Sequence, residues 1–419
     1  MGGRSRRRLG LMGLVALVGL TLAACAPVSG PGPRTSTPAP PPQVRTPPPQ
    51  QPGPAMPSPD TPLSGAFGGA GAMPADGLVR VGLLVPLSGP AAAIGEGLSN
   101  AAQMGAFDAA DSRFVLQPYD TGGSPAGAAR AAQQALSQGA QLLLGPVFAG
   151  STRQVAPIAG QMGVNVIAFT TDPGVAGGNV YVMGFLVREQ VDRVVRFSIS
   201  EGRTAFGALT PAETYGQVAT QALRDQVAAR GGQVISVQTY APDNPDLREP
   251  ARALRGTDAV LIPDTGDGLR AAVNGLAYVD IDSRRTRYMG TMLWDDPGLW
   301  RESALAGGIF PTPPRDSVRR FEAKYRDAFG SEPPDLAILG YDAAALAGVL
   351  ARQSGGPRFD RATLTSAAGF NGAAGIFRFR QDGTVQRGLA VMEVRSDGTV
   401  AEISPAPLSF SGSGMGTGF

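Results

Sequence analysis

Residues Val79 to Asn100, VRVGLLVPLSGPAAAIGEGLSN, read as a strand, a loop and the opening of a helix, and the rest of the chain is read outward from them. Val79, Val81, Leu83, Leu84, Val85 and Leu87 form an almost unbroken apolar run. Such a run suits a central parallel strand buried on both faces, because a half-exposed strand would alternate apolar with polar. It stops at Pro86 to Pro90, where Ser88 and Gly89 supply turn chemistry ahead of a helix predicted over Ile94 to Ala110. Open α/β sheets bind ligands at loops on the carboxyl ends of their strands, so Ser88 is the first candidate contact.

Downstream, strands are predicted at Phe114 to Asp120, Leu142 to Val147 and Val164 to Thr170, with helices at Ser124 to Gln138 and Gly150 to Met162. This alternation indicates a parallel sheet with helices on both faces. In the helix Gln190 to Glu201, Val191, Val194, Val195 and Ile199 fall on one side and Asp192, Arg193 and Arg196 on the other. A second series runs through Ala205 to Pro211, Tyr215 to Arg230, Val234 to Tyr240, Asp246 to Arg255, Ala259 to Asp264, Gly268 to Tyr278 and Tyr288 to Trp294. Ala306 to Pro311 returns the chain, helices follow at Asp316 to Phe329 and Leu336 to Gln353, and Phe370 to Val400 closes with the turns Asp382-Gly383 and Asp397-Gly398. The expected fold class is α/β, two doubly wound parallel-sheet lobes in a domain 79–405. Lobe 1 is expected at about 79–200 plus 310–360 and lobe 2 at about 203–305 plus part of 370–403, with a disordered tail 406–419.

The 419 residues exceed one ordinary domain, in keeping with two lobes. A formal net charge of +2, with no basic arm to neutralise a run of phosphates, argues against nucleic acid as a partner. Residues 1–24 have a basic start (Arg4, Arg6, Arg7, Arg8) and an apolar run Leu9 to Leu22 ending in small residues, the pattern of a secretory signal rather than a membrane span. Leu22-Ala23-Ala24-Cys25 resembles the bacterial lipobox, which implies cleavage before Cys25 and lipidation of that residue, the chain's one cysteine. Ala26 at the next position resembles the sorting signal of outer-membrane lipoproteins. Residues 25–78 then form a linker, with fifteen prolines between Pro27 and Pro62, and nothing in it can bury a core. In extended polyproline geometry it reaches on the order of 100 Å, as a spacer or as a linker whose length matters little.

Four segments carry a resemblance: V-G-L-L-V-P-L-S-G-P at the start, Leu144-Gly145-Pro146 with Ala156 to Ala159, VNVIAFTTD at Val164 to Asp172, and GIFRFRQDG at Gly375 to Gly383. Together they resemble the periplasmic binding proteins of type I, the leucine/isoleucine/valine-binding group. The resemblance implies two lobes joined by several hinge crossings, with a cleft between them; no catalysis and no cofactor are expected of the chain. Within that group, Val164 to Val195 is similar to the penicillin-binding protein activator lipoproteins, which implies a role in peptidoglycan synthesis.

The chain has no histidine, and its one cysteine is assigned to lipid, so Ser-His-Asp and Cys-His nucleophiles and the usual zinc sites are excluded. Asp295-Asp296 are adjacent acids on a loop, and adjacency alone does not aim them at one bond. Gly145 to Thr152, GPVFAGST, copies the spacing of a phosphate-binding loop but has Ser151 in place of the lysine. Free amides after Gly150, with Ser151 and Thr152, favour a carboxylate or similar anion. The family resemblance adds Thr170, Thr171 and Asp172 at the next strand's end. Phe148-Ala149 departs from it, since amino-acid-binding relatives place a hydroxyl there.

Ser151, Thr152 and Thr171 are also explained by helix capping and turn closure. Tyr215, Asp264 and Trp294 near strand ends of the second lobe either clamp a ligand or pack and turn. Arg315, Arg319, Arg320 and Lys324 form a basic helix face, either solvated or meeting an acidic partner. Two functions remain: first, an anchored lipoprotein that contacts and activates a peptidoglycan synthase, or meets a wall fragment; as the alternative, a capture module that delivers an amino acid or other small polar solute to the permease of an ABC importer. Either places the folded body in the periplasm, held to the outer membrane through its lipid.

Overall fold

A computed structural model describes residues 76–241 and 246–410. The signal sequence, Cys25, the proline-rich linker up to residue 75 and residues 411–419 lie outside the described residues. Among those described, no helix is long and apolar enough to cross a membrane.

The opening stretch folds as read: β1 (Val79–Val85) is buried at all but one position, and α1 (Ala92–Ala109) follows its loop. Next come β2 (Phe114–Asp120), α2 (Pro125–Ser137), β3 (Leu142–Leu144), α3 (Ala149–Gln161), β4 (Asn165–Ala168) and β5 (Val180–Val182). The five strands make a parallel sheet in the order β2-β1-β3-β4-β5. Its centre is β1 and β3, whose leucines are fully buried, as continuous apolar runs require.

The second lobe is built from α4 (Val187–Ser200), β6 (Ala205–Pro211), α5 (Thr214–Ala228), β7 (Gln233–Tyr240), α6 (Arg248–Arg252), β8 (Ala259–Leu261), α7 (Gly266–Tyr278), β9 (Arg287–Met289) and β10 (Ile309–Thr312). The chain returns through α8 (Arg315–Phe329), α9 (Ala337–Ala351) and α10 (Arg361–Leu364) to a small antiparallel sheet, β11 (Phe370–Gly372), β12 (Gly375–Phe379) and β13 (Val385–Arg387). It ends in β14 (Ala390–Val394) and β15 (Val400–Ser404), which complete a seven-stranded sheet ordered β15-β14-β10-β9-β8-β6-β7.

Lobe membership differs from the expectation at two places, and a third segment divides as expected. Helix α4 belongs to lobe 2, because Val187, Val191, Val194 and Val195 pack with Phe206, Leu261, Met289 and Ile309. Strand β10 pairs with β9 and β14 in the lobe 2 sheet, so the first lobe regains the chain at α8 rather than at residue 310. The small sheet joins lobe 1 through Phe377, Phe379 and Val385, and only β14 and β15 of the 370–403 segment serve lobe 2. The described body also runs past residue 405 to Phe410, whose ring takes the Arg378 guanidinium at 4.7 Å. Where Tyr288 to Trp294 reads as one strand, pairing stops at Met289 and a 3₁₀ turn, Met292–Trp294, follows.

Helix α9 is apolar on nearly every side because it is enclosed, by α1 on one side and by lobe 1 core residues on the other. A Cβ at Gly340 would stand 2.4 Å from the Leu98 carbonyl oxygen of α1, so glycine there allows the backbones to touch.

Candidate functional site

The three crossings between lobes are Met183 to Leu186 after β5, Pro313-Pro314 after β10, and Gly388-Leu389 between β13 and β14. The first two leave the carboxyl ends of parallel strands, and the third enters β14 opposite Thr312, at that same end of β10. The carboxyl-end loops of both sheets therefore lie on the hinge side, which is where ligands bind in doubly wound sheets.

On lobe 1, Ser88 serves the loop itself. The amides of Leu87 and Ser88 donate to Asp120 Oδ1 at 2.8 and 3.2 Å, and the Ser88 hydroxyl with the Gly122 amide holds the Asp120 carboxyl below the usual carboxylate range. Helix α3 starts at Ala149 with Phe148 at its cap position and no side-chain cap. Its first-turn amides thus lack an intrahelical partner and carry the positive end of the helix dipole. Thr152 Oγ1 donates to the Phe148 carbonyl at 3.1 Å, a bond back along the helix rather than a cap, which leaves the first-turn amides unmet, and Gly150 sits part-buried in the same turn. Ser151 is buried, and its Oγ has no protein partner. Thr170 is buried and accepts the Asp172 amide at 3.1 Å, while Thr171 is exposed. Asp172 accepts the Gly174 amide and pairs with Arg153 at 2.6 Å, joining this loop to α3.

On lobe 2, Tyr215 at the start of α5 donates its hydroxyl to Thr291 Oγ1 at 3.0 Å, linking the loops after β6 and β9, and burial pushes its phenol up. Asp264 accepts the Tyr240 hydroxyl and the Thr265 amide, so its carboxylate is engaged within the lobe. Trp294 is not a clamp. It is fully buried in the lobe 2 core, against Gly290 and Gly308, whose lack of side chains makes room for the indole. Asp295 does not converge with Asp296: Thr312 Oγ1 donates to it at 2.9 Å and Arg315 pairs with it, whereas Asp296 accepts the Gly298 amide. The basic face of α8 is mostly matched within the chain, Arg315 to Asp295, Arg319 to Asp316 and Lys324 to Asp108. Among the described residues, no group of three or more His, Cys, Asp or Glu side chains is placed to hold a metal ion.

The hinge holds charges that sequence reading missed. Arg387, the last residue of β13, is 1 % exposed and Asp342 of α9 is 0 % exposed, with 3.8 Å between them. Arg387 donates to the Met183 carbonyl at 2.7 Å and lies over the rings of Phe185 and Phe377. Asp342 accepts the amides of Ala373 and Ala374. Burial pushes the Asp342 carboxyl up to about 6 and the Arg387 guanidinium down to about 10, so desolvation outweighs their mutual attraction. Arg193, on the charged side of its helix, is nevertheless buried: it donates to the Leu389 carbonyl at 2.7 Å and to Ser404 Oγ at 2.6 Å, across the third crossing. Glu189 of α4 pairs with Arg380, in the turn after β12, at 2.8 Å, from one lobe to the other, and burial raises its carboxyl. The one available signal was Asp342 itself, a single acid in the apolar run AILGYDAAALAGVLA.

Residues 78–399 match the family model described as periplasmic binding protein. A putative branched-chain amino acid ABC transporter protein from Rhodospirillum rubrum shares the fold with a TM-score of 0.68 at 18% identity, over 78% of this chain and 100% of that one. A solute-binding protein of an ABC transporter from R. palustris, solved with benzoate, superposes with a TM-score of 0.53 at 19% identity, over 79% and 98% of the two chains. A curated relative, an uncharacterised protein of Rickettsia prowazekii (strain Madrid E), is 22% identical over 195 residues, 46% of this chain and about half the relative's length at 52%. With two α/β lobes joined by three crossings and a family match spanning most of its length, the chain belongs to the periplasmic binding protein family.

Proposed function

We propose that this protein captures a small solute between its lobes and delivers it to the permease of an ABC importer. The observation that carries this reading is the start of α3: an uncapped helix terminus at a strand end on the hinge side, with the unpartnered Ser151 hydroxyl buried in the same turn. Such a terminus favours an anionic group of a ligand. The family membership and the transporter proteins that share the fold support the same reading. Lipidation at Cys25 would keep the body beside the membrane, with residues 25–78 as its tether and the outer membrane as its anchor.

A thermal-shift panel of amino acids, short peptides, organic acids and wall fragments tests the proposal. A cognate solute at a hundred times its dissociation constant adds about 2.7 kcal/mol to stability. A panel that leaves the melting temperature unmoved overturns it.

The activator reading keeps two observations in its favour, the resemblance of Val164 to Val195 and the long proline-rich tether. Stimulation of a purified peptidoglycan synthase by the protein is its test. The relatives with printed functions are transporter proteins, and the importer reading therefore stands ahead of it.

A further inference from the structure

We infer that Pro405 to Phe410, the segment after β15, is a strap that ties the two lobes at the hinge and holds them in the arrangement seen here. At its lobe 2 end the strap leaves β15, the edge strand of the seven-stranded sheet. Arg193 of α4 grips the exit: its guanidinium donates to the Ser404 carbonyl at 3.3 Å, to Ser404 Oγ at 2.6 Å and to the Pro405 carbonyl at 3.4 Å. The strap then runs against the third crossing, where a Cβ on Gly388 would stand 3.2 Å from the Pro407 carbonyl oxygen. At its lobe 1 end, Phe410 is seated on the small sheet. Its part-buried ring lies so close over Gly369, just before β11, that a Cβ there would come within 2.9 Å of it. The Arg378 guanidinium faces the ring at 4.7 Å and is itself fixed by Gln386 Oε1 at 2.8 Å and the Ala367 carbonyl at 3.0 Å.

The three crossings are continuous chain, whereas the strap closes a further link through a contact that can be made or broken. Residues 405–409 separate the anchored Ser404 from the Phe410 ring, and Pro405 and Pro407, with their fixed φ, stiffen the run. A segment this short and stiff has little slack, so rotation of lobe 2 must either carry Phe410 off its seat or be resisted by it. Beneath the strap lies a groove of about 500 Å³, walled by Asn371 and Ile376 from lobe 1, Met392 and Val400 from lobe 2, and Pro407 and Leu408 of the strap itself. The lobes are therefore not packed solidly against each other on this side, and the strap bridges the gap from β15 to the small sheet. A ligand that needs a different lobe arrangement must unseat the ring, and its apparent affinity is reduced to the fraction of molecules already unseated.

Lobe separation reads this directly and needs no ligand, so the result is independent of the importer reading. The full-length chain carries Cys25→Ser, and spin labels are attached at exposed helix positions of the two lobes through Gln133→Cys in α2 and Val218→Cys in α5. Pulsed dipolar spectroscopy then gives the distribution of distances between them. With the strap intact, one dominant distance is expected. Phe410→Ala, and truncation after Ser404, are expected to add a second population and to move the ratio of the two arrangements by about fivefold, as loss of one part-exposed cation–π contact with its apolar burial predicts. Phe410→Tyr keeps the ring, and it and a chain ending at Phe410 are expected to keep the wild-type distribution. Cooperative melting of each variant shows that the lobes themselves remain folded. Distances unchanged in both Phe410→Ala and the truncation overturn the inference, even where melting falls, because the ring then packs on lobe 1 without tying the lobes. An equal displacement in Phe410→Tyr or in the chain ending at Phe410 overturns it as well, since the tie then lies elsewhere than in the seated ring.

Discussion

Two ion pairs stand at opposite extremes of this molecule. At the hinge, Arg387 and Asp342 are 1 % and 0 % exposed and 3.8 Å apart. At the mouth of lobe 1, Arg153 and Asp172 are 57 % and 37 % exposed and 2.6 Å apart. The geometrically better pair is the one expected to matter less. Water screens the exposed charges and solvates them equally well when apart, whereas the buried charges have given up water and rely on the few groups around them. Those groups belong to different segments: Met183 and Phe185 from the first crossing, Phe377 from the small sheet, and Ala373 and Ala374 from the loop between β11 and β12. Distance describes the contact, and desolvation decides its energy.

Arg387→Met breaks the comparison most severely. It strands the Asp342 carboxylate without a counter-charge inside the hinge, and a loss of about 3–5 kcal/mol is expected in denaturant unfolding. Arg387→Met with Asp342→Asn should recover much of this, because no bare charge then remains buried. A single variant that loses less than about 1 kcal/mol would place the hinge pair in the same class as a surface pair.

The same pair gives a smaller effect that depends on pH. Burial, opposed by Arg387 and the two amides, raises the Asp342 carboxyl from its ordinary 3.8 to about 6. Between those values the folded protein holds this proton more tightly than the unfolded chain does. The contribution of Asp342 is therefore fully present below about pH 4 and is lost as pH rises through 6, opposite in sign to a carboxylate stabilised by a salt bridge. Arg387, held near 10, stays charged throughout that window. Stability of the wild type minus that of Asp342→Asn should fall from pH 4 to pH 7. A flat or rising difference shows that Asp342 is ionised in the fold with little cost.

How the sequence disclosed these regions follows from where each residue's partners lie. The strand of Val79 to Val85 was legible because burial on both faces leaves an apolar run, and both Asp-Gly turns were legible because their geometry is local. Membership of α4 was not, because the apolar stripe that marks it as a helix does not say which sheet it covers. Trp294 stands near a strand end in the sequence, yet the 3₁₀ turn carries its ring into the core. At the start of α3, the loop spacing exposed the open amides, and Phe148 was visible as a departure from its relatives. Arg193 and Arg387 look like surface arginines, and only the crossings, brought together from positions some 200 residues apart, supply their acceptors.

Arg153→Ala is the smallest expected effect and the sharpest control. The pair joins the first turns of α3 to the loop after β4, and both ends remain in water, so the loss in stability should stay within about 0.5 kcal/mol and shrink further in high salt. Asp172 keeps the Gly174 amide as a donor and its backbone keeps Thr170, so the loop retains its local bonds without the arginine. Ligand affinity is the more informative readout. Removing a cation near the α3 terminus weakens the local attraction for an anion, so binding of any anionic solute found in the thermal-shift panel should fall modestly while unfolding is unchanged. If Arg153→Ala instead destabilises the fold as much as Arg387→Met, then exposure does not separate these two pairs, and the contrast between hinge and mouth fails.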